Sequence, residues 1–424
     1  MTFSTAISGI NAANSDLGVI SNNIANASTT GFKASRAEFA DVYASSLLGA
    51  GGNEIGLGVT LADVTQEFGQ GNINFTNNSL DLAINGGGFF QLSNEGALEY
   101  TRAGAFQVDS DGFVVSNQGL RLQAFQVDPN GDITGQVGDL QIDTSLIDPN
   151  ATGTVSLTSN LDSRDVTLGT GFATNGPYDA FAVPPTVPNP LDFNATTSTT
   201  VFDSLGNPHV LSLYYVKTAT ANTWEVYSLI DGQSQNGGAP ETLTFTSNGQ
   251  FDPASATSVT IAGYAPVDSI GNANGAAVQT FEIDLTATSQ FGTPFTVSSI
   301  IQDGFAAGQL RGLDIDDTGI AFARYTNGES RALGQIALAG FNNQNGLQPI
   351  GDTNWVETFS SGPPNVSEAG TSGLGVIQSA ALEDSNVEIT EQLVDLIIAQ
   401  RNFQANAQVI QTADATTQTV INLR

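Results

Sequence analysis

The chain has 424 residues, more than one compact domain of about 100–200 residues holds, so two to four domains are expected. Forty-two Asp and Glu face 11 Lys and Arg, a formal charge of −31, which excludes nucleic acid and an anionic membrane face as partners. There is no Cys and one His, which excludes disulfides, thiolate chemistry, iron–sulfur clusters and any two-His metal site within the chain.

Charged residues make up 12% of the chain and apolar residues 40%, so Asn, Thr, Ser, Gln and Gly give it a polar rather than an ionic surface. Twenty-four Phe and eight Tyr suffice for several cores, which is not a disordered composition. No apolar run reaches the ~18 residues of a membrane span. The start, Met1 to Ile7, lacks a basic region followed by a continuous apolar one and does not read as a secretory signal.

The first predicted element is a helix. Phe3, Ile7, Ile10, Asn14, Leu17, Ser21 and Ile24 recur at alternating spacings of four and three, a heptad-like seam with two polar interruptions. A glycine-rich stretch from Gly49 to Gly58 then weakens the pattern. Beyond it the periodicity changes to that of short strands. Val210–Val216 and Trp224–Ile230 are β-branched and aromatic runs around a polar turn, as in a hairpin. Phe281, Ile283 and Leu285 alternate with Glu282 and Asp284 as in a half-buried strand. Turn dipeptides recur at Asp111-Gly112, Asn130-Gly131, Asp231-Gly232, Asn248-Gly249 and Asn327-Gly328. Pro184–Pro190 reads as an extended excursion.

The last predicted element is again a helix, with Ile389, Leu393, Leu396, Gln400, Phe403, Ala407, Ile410, Asp414, Thr417 and Ile421 on one seam. Ser385-Asn386-Val387-Glu388 has the form of a capping box and predicts a start near residue 386. At 1.5 Å per residue such a helix is roughly 50 Å long or more, longer than a small domain is wide, so it needs the N-terminal helix or other chains as partners.

The expected fold is therefore multidomain. Paired, coiled-coil-like N- and C-terminal α-helices lie at one pole, with all-β domains looped out in series. The boundaries expected are 1–32 with 383–424 for the helical polymerisation domain and 33–80 with 362–382 for a connecting segment. An inner β domain takes 81–160 with 291–361, and an outer one 161–290. Charge follows the same division. Residues 1–32 carry one acid and no base, and 383–424 carry six acids and two bases; the remaining 35 acids and nine bases, a net −26, lie between them. The helical pole is nearly neutral and suited to packing against copies of itself.

No catalytic, cofactor or metal site emerges. His209, between Pro208 and a strand, lacks any second His or Cys and reads as a surface or strand-end residue. Asp128-Pro129-Asn130-Gly131-Asp132 opens like a calcium loop but has Ile133 where the sixth position needs Gly, so a hairpin turn is expected. Asp314-Ile315-Asp316-Asp317-Thr318-Gly319 reads as a solvated turn. Asn85-Gly86-Gly87-Gly88-Phe89-Phe90 lacks the Lys-Ser/Thr of a phosphate loop and reads as a strand entry with close backbone packing.

The ends carry a resemblance. Ser21-Asn22-Asn23-Ile24-Ala25-Asn26-Ala27-Ser28-Thr29-Thr30-Gly31-Phe32-Lys33 resembles the N-terminal signature of the bacterial flagellar rod and hook family. The Asn85–Phe90 stretch, with Gly87, Phe89 and Phe90, resembles a second family block. Glu391–Ile397 with Gln400–Asn406 resembles a third. Phe202–Pro208, and Gly334–Ala339 with Phe341-Asn342-Asn343, resemble the hook branch in particular. The resemblance implies a structural subunit that polymerises with itself into a short, curved, hollow joint passing torque from rod to filament. Its paired terminal helices would line the bore and its β domains face outward. It further implies rod proteins, a hook cap, hook–filament junction proteins and the flagellar type III export apparatus as partners, and an extracellular place without a cleaved signal peptide. The seam residues Phe3, Ile7, Ile10, Leu17, Ile24, Ile389, Leu393, Leu396, Phe403, Ile410 and Ile421 are then the expected polymerisation contacts. Gln404, Asn406, Gln408, Gln411, Thr412, Thr416, Thr417 and Gln418 make the last helix polar yet almost uncharged, a surface that would let exported chains pass without holding them. The alternatives are a distal rod subunit, which shares the terminal blocks but is typically shorter, and, in another class, an acidic secreted adhesin or enzyme.

Overall fold

Helix α1, Thr2–Ala25, opens the chain and helix α3, Ile389–Asn422, closes it. The computed structural model describes residues 2–42, 56–128, 131–255 and 257–422. Most of the Gly49–Gly58 stretch lies outside the described residues. Two units result: Met1–Thr144 with Gly312–Arg324 and Ser330–Arg424, and Ser145–Arg311 with Tyr325–Glu329.

In the first unit α1 leads into an antiparallel hairpin of β1, Ser35–Val42, and β2, Gly58–Gln66, with a bulge between Glu38 and Phe39. The segments flanking the two termini then pair with each other. Ile73–Phe75 runs antiparallel to Ala381–Glu383, and Leu82–Asn85 antiparallel to Val376–Ser379. These ladders bring residues some 300 apart into register, so the returning chain starts α3 beside the end of α1. The β part is an antiparallel sheet in which Phe89–Asn94 pairs with Ala97–Thr101 and with Leu338–Gly340, and Arg121–Val127 with Ser330–Ile336. Phe89, Tyr100, Ala339, Leu347 and Trp355 form a buried cluster in this unit.

The second unit is built from two five-stranded sheets. One is arranged about Thr154–Asp162, which runs antiparallel to Thr296–Gln302 and parallel to Gln279–Asp284 and Ser289–Phe291. The other holds the hairpin read from sequence, Pro208–Lys217 against Thr223–Ile230, with Ala195–Phe202 beside it. Burial alternates strictly along Gln279–Asp284, as a strand with one face in a core requires. Leu157, Leu211, Tyr215, Trp224, Phe281 and Ile283 from both sheets share one core. The short helix α2, Gly171–Asn175, adds Phe172 to Tyr178, Tyr214 and Tyr227 at ring distances of 4.5–5.3 Å.

The hairpins are closed by one repeated device. In Asp109-Ser-Asp-Gly112, Asp203-Ser-Leu-Gly206, Asp268-Ser-Ile-Gly271 and Asp316-Asp-Thr-Gly319 the leading Asp Oδ1 accepts hydrogen bonds from the backbone N–H groups two and four residues on. Each turn ends on a glycine with φ of 81–85°. The acidic cluster read from sequence is therefore structural: Asp316 closes its own turn and Asp314 is paired with Arg324. The Asp128 carboxylate likewise accepts the Asp132 N–H across a hairpin, with Pro129 and Asn130 outside the described residues. Among the described residues no group of three or more His, Asp or Glu could hold a metal ion.

Candidate assembly interface

The helix pair follows from small residues. On α1, Ala6, Ala13, Ile20 and Asn23 are buried, and on α3 the buried residue is Ala399. Gly9 lies directly against Asn406, whose Oδ1 would be 2.6 Å from a Cβ at that position. Asn23 donates through Nδ2 to Gln392 Oε1 at 3.0 Å and to the Ser35 carbonyl at 2.7 Å, while its Oδ1 accepts the Ser35 N–H at 2.9 Å. Residue 23 meeting 392 and residue 9 meeting 406 make the pair antiparallel, and Phe3 lines an open crevice with Val409 and Ala413.

The residues of the expected seam take a different position from a simple helix–helix core. Phe3, Ile7, Ile389, Leu393, Phe403 and Ile421 are exposed, at 37–66% of their surface. Ile10, Leu17, Ile24, Leu396 and Ile410 are half-buried. The spacing of threes and fours holds, but the intrachain contact face is turned by about one residue, roughly 100°, onto Ala6, Ala13 and Ile20. Close approach selects small side chains there, and the large apolar ones remain outside the pair. Val394, Ile397, Ile398 and Val409 extend that exposed apolar surface along α3.

The far half of α3 is polar and self-satisfied. The hydroxyls of Thr412, Thr416, Thr417 and Thr419 donate to carbonyls of the preceding turn at 2.8–3.1 Å. In the near half, Asp16 of α1 and Asp395 of α3 line a crevice of about 350 Å³. Burial, and then the Asp395 charge, raise the Asp16 carboxyl above the usual carboxylate range. No cation among the described residues pairs with either acid.

The pair is fixed to the β part by a buried charge cluster. Lys33 donates to Glu383 Oε1 at 2.6 Å and to the Gly69 carbonyl at 2.8 Å, and Arg102 donates to Glu383 Oε2 at 3.2 Å and to the Gly86 carbonyl at 2.9 Å. Side-chain exposure is 0% for Lys33 and Glu383 and 3% for Arg102. Burial lowers the Lys33 and Arg102 pKa values, with Glu383 opposing the shift in both. Gly71 N–H also donates to Glu383 Oε1, and Gly31 N–H to the Glu383 carbonyl.

The signature residues lie at the end of α1, in the turn that leads to Lys33, and at the strand entry of residues 85–90. Ala25 ends α1, and Asn26 accepts the Thr29 hydroxyl and donates to the Asn22 carbonyl in the turn that follows. Gly31 has φ of 69°, and a Cβ there would run into the Ala103 backbone, so only glycine fits. Thr30 and Phe32 are half-buried beside it. Gly87 is exposed at the strand entry, whereas Phe89 and Phe90 are fully buried. Phe89 packs edge-on against Phe68, Phe341 and Trp355 at 5.6–5.9 Å, and Trp355 Nε1 donates to Gln66 Oε1 at the base of β2.

Two readings need correction. Ser385, the cap position of the expected box, accepts the Val387 N–H at 3.3 Å, while Asn386 is a bridge: its Oδ1 accepts the Ala34 N–H at 2.7 Å and its Nδ2 donates to the Glu67 carbonyl at 2.7 Å. The helix starts at Ile389 instead, three residues later than expected. His209 does begin a strand, but it is 3% exposed rather than at the surface.

A cleft of about 570 Å³ lies between the signature turn and residues 116–118 and 349–355. Its only ionisable lining groups are Lys33, already bonded, and Asp352, so it holds no acid–base or nucleophile pair.

Four stretches match family models. Residues 3–33 match "Flagella basal body rod protein" and 83–159 match "Flagellar hook protein FlgE/F/G D1 domain". Residues 160–305 match "Flagellar basal body protein FlaE D2 domain" and 378–423 "Flagellar basal body rod FlgEFG protein C-terminal". The chain is 38% identical to the flagellar hook protein FlgE of Escherichia coli K12 over the full length of both. It is 34% identical to that of Borreliella burgdorferi, covering 99% of this chain and 98% of the relative. The crystal structure of the Helicobacter pylori flagellar hook protein FlgE2 shares the fold, with a TM-score of 0.54 at 16% identity over 73% of this chain and 100% of that one. Identity of this level along the whole of both chains places the chain in the flagellar hook protein FlgE family, a structural family of the bacterial flagellum and not a family of enzymes.

Proposed function

We propose that copies of this hook subunit join through the apolar side chains that the helix pair leaves uncovered, Phe3, Ile7, Ile389, Leu393, Phe403 and Ile421 foremost. The observation that supports this is that the helices meet through Ala6, Gly9, Ala13, Ile20 and Asn23 while the large apolar residues stay exposed, where water is a poor neighbour for them. In the resulting curved tube, the Gln- and Thr-rich surface of α3 faces the bore, where it neither holds a passing chain by charge nor adheres to it by a broad apolar face. The joint transmits torque from rod to filament while serving as a conduit for export.

The division of labour we propose is a helical polymerisation domain of 1–32 and 383–424, a connecting segment of 33–80 and 362–382, an inner β domain of 81–160 and 291–361, and an outer one of 161–290. Rod proteins, a hook cap, hook–filament junction proteins and the flagellar type III export apparatus are the partners, and the subunit leaves the cell without a cleaved signal peptide. Deleting residues 1–30 tests the reading. The truncated chain is expected to form no tubes in negative-stain images while its 145–311 unit melts as in the full chain. Tubes of normal form from the truncated chain would overturn it.

A further inference from the structure

The block Phe202–Pro208 and the single histidine after it form a buried polar cluster in the second unit. His209 Nδ1 lies 2.6 Å from Asp231 Oδ2, and its Nε2 lies 3.3 Å from Asp203 Oδ2. Both partners are carboxylate oxygens. A neutral imidazole carries one N–H, so one of these contacts would set a lone pair against a carboxylate; only the imidazolium donates to both. The third titratable group facing the ring is Tyr264, edge-on at 5.7 Å, whose buried hydroxyl has no hydrogen-bond partner among the described residues. Burial, and then Asp231 and Asp203, push that hydroxyl up, so it stays neutral throughout the range that matters.

Asp203 does more than accept from His209. Its Oδ1 closes the 203–207 turn, and its Oδ2 also accepts Asn207 Nδ2 at 3.0 Å and Asn274 Nδ2 at 2.6 Å. Burial opposes its ionisation, but bonds from Asn207, Asn274 and His209 outweigh that and hold its carboxyl down at about 2. Asn274 belongs to an excursion, residues 265–278, that leaves one sheet and returns to it. That excursion meets the block at a second point, where the Ala277 N–H donates to Ser204 Oγ at 2.8 Å. Ile270 and Val278, at its tip and foot, are 73% and 67% exposed.

We propose that the Asp203–Pro208 block and His209 form a proton-dependent clamp that fastens the 265–278 excursion onto the sheet of residues 195–230, closed by the imidazolium and released when its proton leaves. The bond to Asp231, opposed by burial and helped by Asp203, raises the His209 pKa above the free value of 6.5. The clamp's contribution is therefore complete below about pH 6.5 and is lost as pH rises through the folded-state value. A subunit of an external appendage meets the pH of the medium directly, so alkaline medium loosens this excursion first.

The single histidine makes the test clean. In the full chain at low concentration, nitrogen-15 NMR of His209 is expected to show both ring nitrogens protonated at about pH 6, with titration above the free value of 6.5. Hydrogen exchange, corrected for its intrinsic pH dependence, should show protection at the Asn274 and Ala277 amides falling across that titration. The Asp109–Phe113 turn, which has the same Asp device and no histidine, should not change. His209→Gln is expected to abolish the pH dependence. A ring in the unmodified chain that titrates at or below 6.5 would overturn the proposal whether or not the variant folds. So would loss of protection equal at 109–113 and 265–278.

Discussion

Lys33 and Glu383 are 350 positions apart in the chain and 2.6 Å apart in space, with both side chains sealed from water. Arg102 shares the same carboxylate, so one acid bridges two buried basic side chains, the three groups coming from three separate segments. Removing it leaves the cations facing each other without water, the arrangement in which breaking a buried pair costs about 3–5 kcal/mol. Glu383→Gln is expected to lower the stability of the first unit by that amount in chemical denaturation, with the 145–311 unit unaffected. A change under about 1 kcal/mol would show that the carbonyls of Gly69 and Gly86 alone hold the two cations.

Asp16 is held at a cost. A carboxyl whose pKa is raised on folding favours the unfolded chain once pH passes the unfolded value, because only the unfolded state then ionises fully. The penalty is absent below about pH 3.8, grows as pH rises towards the folded-state value, and stays constant above it. Asp16→Asn is therefore expected to increase hydrogen-exchange protection of α1 at pH 7, with the gain vanishing towards pH 3. Reduced protection in the variant at pH 7 would mean that Asp16 makes a favourable contact.

Assembly should depend steeply on salt. A formal charge of −31 with 11 basic residues leaves few cations to pair across contacts between neighbouring copies. The Debye length is about 30 Å at 0.01 M and about 3 Å at 1 M, so salt removes the repulsion while apolar helix contacts are barely screened. The critical concentration measured by light scattering is expected to fall as NaCl rises, and to respond no more to millimolar calcium than ionic strength explains. Asp314 and Asp316 are already occupied by Arg324 and by a turn, which leaves no ready cation bridge there. A critical concentration flat in NaCl would contradict the repulsion argument.

Periodicity carried the terminal helices and the 208–230 hairpin, because 3.6- and 2-residue repeats of apolar side chains are local signals. It could not carry the phase of the helix pair. Ala6, Gly9 and Ala13 have little hydropathy contrast, and only the partner helix shows that space, not apolarity, selects them. Lys33 was legible as part of a signature, but its partners Glu383 and Arg102 were not, since nothing local marks a buried ion pair across 350 residues. The Ser385–Glu388 box placed the helix start three residues early for a related reason. Within it the chain uses Asn386 as a bridge to Ala34 and Glu67, partners that no local pattern marks. His209 read as a strand-end residue because its two carboxylate partners lie in neighbouring turns that only the sheet brings together.

The central claim is that exposed apolar residues of the terminal helices join one copy to the next. Phe403→Asp places a charge in that surface, and Ile410→Asp one at its half-buried edge, at about 3 kcal/mol per subunit, enough to raise the critical concentration roughly a hundredfold. Light scattering with negative-stain imaging, run at concentrations where the unmodified chain forms curved tubes, is the direct measurement. Both variants are expected to remain unassembled while their β units melt at unchanged temperature. Normal tubes from either variant at the unmodified critical concentration would contradict the account.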